Sequence, residues 1–154
     1  MKRSIGSMLG LFRALVPQAA LKVDTNGASF DKTAQPGFEA LTMLVHLGAS
    51  GDTLSGSVFI ELEMEESDDD SVWNKVANAD MSVPDATQKG TEGDGVWQKV
   101  DDPSEDDVIY KADYIGHKKF ARLVLDFTGT HTNGIDLSAL YVAGRALGEP
   151  VANQ

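Results

Sequence analysis

The feature that most constrains this chain is a run of strict alternation. Across residues 56–65, Val58, Ile60, Leu62 and Met64 alternate with Phe59, Glu61, Glu63 and Glu65. Successive side chains of a strand point to opposite faces, so this run has one face in a core and one in water. The period recurs. Residues 38–47 place Leu41, Met43, Val45 and Leu47 on one face, and residues 108–115 do the same with Tyr110, Ala112 and Tyr114. Residues 119–128 set Ala121, Leu123, Leu125 and Phe127 inward and Arg122 and Asp126 outward, and a last strand is expected over 137–146. Shorter strands are expected at 21–24 and 72–76. Thr25-Asn26-Gly27, Pro36-Gly37 and the stretches 48–52 and 67–71 read as turns. Residues 77–107, richer in Gly, Pro, Asp and Thr, read as long loops with short strands; there Val96–Val100 echoes 72–76 over five residues, too few for a repeat. Roughly eight strands joined by turn-rich loops predict an all-β protein, a two-layer antiparallel β-sandwich of jelly-roll or immunoglobulin-like type. Periodicity carries no strand order.

The beginning of the chain follows a different pattern. Ile5, Met8, Leu9, Phe12, Leu15 and Val16 recur at helical spacing, with Lys2, Arg3 and Arg13 elsewhere on the wheel. This segment reads as an ordered arm or short helix docked on a neighbour, or packed on its own domain. It also has the outline of a secretory signal, weakened by Arg13 within the apolar stretch and by Pro17. It is too short and too charged to span a bilayer. The expected organisation is an arm at 1–19, a sandwich at 20–147 and an exposed tail at 148–154.

Composition narrows the function classes. The chain has 154 residues, enough for one domain, and no cysteine, which excludes disulfides, thiolate catalysis and thiolate metal sites. Against 13 basic residues stand 24 acidic ones, a formal charge of -11. Such a surface is repelled by phosphate backbones, and nucleic acid is not an expected partner.

No catalytic constellation is legible. His46, His117 and His131 lie in separate elements without metal-ligand spacing, and there is no Gly-x-Ser-x-Gly elbow, phosphate loop or dinucleotide fingerprint. The acidic run from Glu61 to Asp70 makes a cation site conceivable, yet EF-hand spacing is missing, and a solvated strand face with a polar turn explains the same residues. Neither a metal nor a cofactor is expected. Trp73 and Trp97 are of the kind that stacks sugars, but Trp73 reads better as a plug of the core or of a loop base.

Several segments together resemble a family of small β-sandwich proteins encoded among the head genes of tailed bacteriophages and prophages. They are Thr25-Asn26-Gly27-Ala28-Ser29-Phe30-Asp31; residues 59–73 with the Glu65-Glu66-Ser67-Asp68-Asp69 turn; Tyr114-Ile115-Gly116-His117-Lys118-Lys119-Phe120-Ala121-Arg122; and residues 140–151 ending in Glu149-Pro150-Val151. The resemblance implies a non-enzymatic virion protein, made in the bacterial cytoplasm, that decorates and cements the capsid. Its expected partners are the major capsid protein and further copies of itself, with no membrane involved. A head–tail connector or tail component, or a carbohydrate-binding module, is the alternative. Residues 1–16 and 77–107 look longer than the family pattern. The residues expected to grip a partner are Ile5, Leu9, Phe12 and Val16 of the arm, with Lys118, Lys119 and Arg122 meeting acidic coat residues.

Overall fold

The structure is a computed structural model that describes residues 9–34, 37–84 and 95–146. Among the described residues the elements are strands and two short 3-10 turns, at Asn78–Asp80 and Pro103–Glu105. The strands are β1 (Gly10–Leu21), β2 (Thr25–Asn26), β3 (Phe30–Asp31), β4 (Phe38–Ser50), β5 (Phe59–Ser67), β6 (Asn74–Lys75), β7 (Met81–Ser82), β8 (Val96–Val100), β9 (Ile109–Tyr114), β10 (Phe120–Thr128) and β11 (Ile135–Ala146).

Two antiparallel sheets stack as expected. The first has the order β1-β11-β4-β9-β7; in the second, β10 and β5 lie at the centre, with β2 and β3 outside β10, and β6 and β8 outside β5. When β2 with β3, and β6 with β8, are each taken as one interrupted strand, and the two-residue edge strand β7 beside β9 is set aside, eight positions remain. They pair first with eighth, second with seventh, third with sixth and fourth with fifth, and so form a long hairpin rolled into two sheets. This is the jelly-roll order, which decides between the two sandwich types.

Alternation sets what each strand buries. Leu41, Met43, Val45 and Leu47 of β4, Tyr110, Ala112 and Tyr114 of β9, and Leu137, Ala139, Tyr141 and Ala143 of β11 face Ile60, Leu62 and Met64 of β5 and Ala121, Leu123 and Leu125 of β10 across one core. Each fully buried Leu or Ile contributes about 1.5–3 kcal/mol. Gly129 closes the connection after β10 at φ +87, where a Cβ would lie 2.3 Å from the Ser57 carbonyl oxygen; only glycine fits there.

From Gly10 onward the first segment packs on its own domain, one of the placements expected, but as an edge strand hydrogen-bonded to β11 rather than a helix, and the boundary drawn at residue 19 falls inside it. The reason is local. Apolar residues lie on both faces of the strand, Leu11 outward and Phe12 inward, and register shifts after Arg13 break the alternation further on, so no period of two is visible. Three smaller differences follow from pairing. Thr25–Asn26, read as a turn, is a short strand against Val124 and Leu125. Residues 22–24, read as strand, lie outside β1 and β2, and of 72–76 only Asn74–Lys75 pairs. The expected tail at 148–154 lies outside the described residues.

Candidate docking faces of the sandwich

The outward face of the second sheet is charged, and its charges meet one another. Register sets Arg122 of β10 opposite Glu65 of β5. The guanidinium donates from Nε and Nη2 to Glu65 Oε2 at 2.9 and 2.6 Å, and its other contact is the Trp73 ring, 4.2 Å from the centroid. Lys75 pairs with Glu63, and Lys99 lies 3.4 Å from Asp101 and 3.9 Å from the centre of the Phe59 ring. Beyond the sheet edge, Lys118 reaches Asp68 at 2.5 Å and Lys119 reaches Asp31 at 3.5 Å. The hydrogen bond to Asp68 raises the pKa of Lys118. The three basic residues expected to meet a partner's carboxylates are therefore each engaged by a carboxylate of this chain.

The acidic run is divided rather than gathered. Glu65 is held by Arg122 and Asp68 by Lys118. Asp69 caps its turn, accepting from the Ser71 and Val72 amides at 2.9 Å each, which with the Ser67 hydroxyl hold its carboxyl well below the usual range. Asp126 of β10, too distant in sequence to be grouped with the run, does join Glu61 and Glu63. One carboxylate oxygen from each lies within 4.8 Å of the others. Burial, followed by the nearby Asp24, raises the pKa of Asp126. A calcium ion requires six to eight oxygens, and here Lys75 already occupies Glu63.

The outward face of the first sheet differs in kind. Pairing of β1, β11, β4 and β9 lays side chains in rows across the strands. One row reads Leu11, Val142, Thr42, Asp113 and the next Arg13, Leu140, Leu44, Lys111. Leu11 is 43 % exposed and Leu140 45 %, and Leu44 and Val142 are half-buried. Leu9 reaches over Gly144 on the same side, its Cδ2 3.4 Å from where a Cβ would sit. Val16 is 40 % exposed, and Ile109 and Ile115 extend the apolar surface toward β9. Asp113 accepts the Thr42 hydroxyl at 2.5 Å.

The predicted gripping residues of the arm are thus separated. Leu9 lies on this face and Val16 is exposed in β1. Phe12 instead turns inward, stacking edge-on against Phe30 and Phe38 at 5.0 and 5.4 Å. Ile5 lies outside the described residues. Of the tryptophans, Trp97 is fully buried in the core, whereas Trp73, expected as a plug of the core or of a loop base, is half-buried at the surface under Arg122. The signal missed in the sequence is that outward positions 40, 42 and 44 of β4 and 140, 142 and 144 of β11 are small, aliphatic or uncharged, unlike their counterparts in β5.

Of the histidines, His46 and His117 are exposed and His131 is buried. His131 Nε2 lies 3.1 Å from the Thr128 carbonyl oxygen, and Nδ1 lies 3.9 Å from Asp52. Asp52 in turn accepts the amides of Thr132, Asn133 and Gly134. The pair holds the 129–134 loop.

No family model matches this chain, and no match was found among curated proteins or solved structures.

Proposed function

We propose that the chain is a non-enzymatic structural protein of a tailed-phage virion, one that decorates and cements the outer surface of the major capsid protein lattice. The observation that carries this reading is the asymmetry of the sandwich. One outward face ties its basic residues to carboxylates of the same chain, and the other exposes aliphatic side chains such as Leu11, Leu140 and Ile109, with Arg13, Lys111 and Asp113 at its margins. A surface of the second kind adheres to protein. The acid excess suits the outside of a shell packed with DNA, where phosphate is the neighbour to avoid. Simultaneous contacts to several coat subunits make a set of modest interfaces strong through effective concentration. The jelly roll is shared by many unrelated functions and adds no weight of its own. The test is electron microscopy of purified particles from the host that carries the gene. Many copies arrayed on the outer lattice support the reading. A few copies at the neck transfer it to a head–tail connector, and absence from particles refutes it.

A carbohydrate-binding module is the weaker reading, because neither tryptophan offers a free platform. Trp97 is buried, and one face of Trp73 is covered by Arg122. It predicts glycan binding that is lost in Trp73→Ala while the fold persists.

A further inference from the structure

We propose that the outward face of the first sheet is a two-fold interface, and that its occupant is the same face of a second copy of this chain. The proposal does not depend on the capsid reading. Its first support is the distribution of apolar surface. Five of the eight large apolar side chains exposed among the described residues, Leu11, Val16, Ile109, Ile115 and Leu140, belong to β1, β9 and β11 or directly follow β9. The first sheet carries them; the outward face of the second carries Glu61, Glu63, Glu65 and Asp126 instead. A chain with a net charge of -11 repels its own copies at most approaches. Face-to-face contact of the first sheets is the approach that keeps the acidic sheets farthest apart.

The second support is self-complementarity, which an isologous contact requires. Consider a two-fold axis lying in the interface, across the strands and midway between the rows Leu11–Val142–Thr42–Asp113 and Arg13–Leu140–Leu44–Lys111. The axis exchanges the rows. Leu140 then packs on Val142 of the other copy, Leu44 on Thr42, and Lys111 meets Asp113, each contact occurring twice. Strands of the two sheets run nearly aligned, the commoner way for sheets to pack.

The third support is size. Four strands about 4.8 Å apart and four same-face residues about 6.8 Å apart span roughly 500 Å² per copy. Two copies bury about 1,000 Å² together, the lower limit for a specific interface and above most lattice contacts. The expected product is a reversible dimer rather than a permanent one.

The experiment is sedimentation velocity of the full chain over a concentration series. The wild type is expected to pass from monomer to dimer. Leu140→Glu places a charge at the centre of the patch and weakens association about a hundredfold, reading as a monomer throughout. Lys111→Asp and Asp113→Lys each weaken it, and the double exchange restores it. Far-UV circular dichroism and the urea midpoint of dilute samples establish that the variants fold. A wild type that stays monomeric at every concentration overturns the proposal and leaves the face to a different protein. A dimer indifferent to Leu140→Glu, or a double exchange no better than either single change, overturns it as well.

Discussion

Replacing Tyr141 by phenylalanine tests how the two sheets are joined at their open side. Tyr141 belongs to β11 of the first sheet, yet its hydroxyl serves β10 of the second. It accepts the Leu123 amide at 2.9 Å and donates to the Ala28 carbonyl at 2.7 Å. The geometry follows from an interruption in the ladder. β3 pairs with Phe120 and Ala121, β2 with Val124 and Leu125, and between them the chain steps away from Leu123. The Gly27 amide satisfies the Leu123 carbonyl, and the tyrosine satisfies its amide. Burial pushes the phenol pKa well above its ordinary value, so the hydroxyl stays protonated. Tyr141→Phe removes one oxygen and almost no volume. Leu123 is 1 % exposed, and its N–H is left without an acceptor, at about 1–3 kcal/mol. Ala28 is exposed and its carbonyl rehydrates, so that bond costs only about 1 kcal/mol. The sum is about 2–4 kcal/mol, which for a domain of this length lowers Tm by roughly 4–16 °C. Urea unfolding monitored by tryptophan fluorescence should show a lower midpoint with an unchanged slope. A loss below about 0.5 kcal/mol would refute the reasoning, because it would mean that water replaces the hydroxyl at Leu123.

Three further outcomes are expected. Arg122→Ala leaves the largely buried Glu65 unpaired and uncovers Trp73; a loss of about 1–3 kcal/mol and a red shift of fluorescence confined to Trp73, read in a Trp97→Phe background, would check it. Asp31, Asp52 and Asp69 have depressed pKa values, so their stabilisation is present above the unfolded carboxylate range and is lost as pH falls through the folded values; Asp126, raised by burial and Asp24, acts oppositely, so Asp126→Asn should stabilise at neutral pH and lose that advantage near about pH 3, as urea midpoints across pH would show. Gly129→Ala should cost about 2 kcal/mol or more, seen in the urea midpoint, since both its φ of +87 and the Ser57 carbonyl forbid a side chain there.

What could be read from the sequence was whatever depends on neighbours two residues apart. The inward sets of β4, β5, β9 and β10 are all visible as alternation, because those strands keep their phase over the residues concerned, the register shift of β4 coming only after Leu47. β1 was hidden because its bulges break the phase and because apolar residues occupy both of its faces. Strand order was hidden for a different reason. The pairing of Gly10 with Ala143 joins opposite ends of the chain, and no local pattern records it. The same limit applied to the charges. Alternation put Arg122 outward, but only register shows that Glu65 waits opposite, which changes the residue from a grip on a partner to an internal tie. Trp97 and Trp73 carried no distinguishing local signal, since both sit in similar Val-Trp contexts and only the pairing of Val96–Val100 with β5 draws the first under the sheet.

The position of β11 has a consequence for synthesis. β11 follows both β1 and β4 in the chain yet is inserted between them, so the first sheet stays open until residues 135–146 have been made. Until residues 135–146 emerge, β1 and β4 each present an unsatisfied backbone edge beside a greasy surface, an invitation to pair with another nascent chain. Truncation ahead of β11 should therefore yield insoluble material rather than a shortened sandwich.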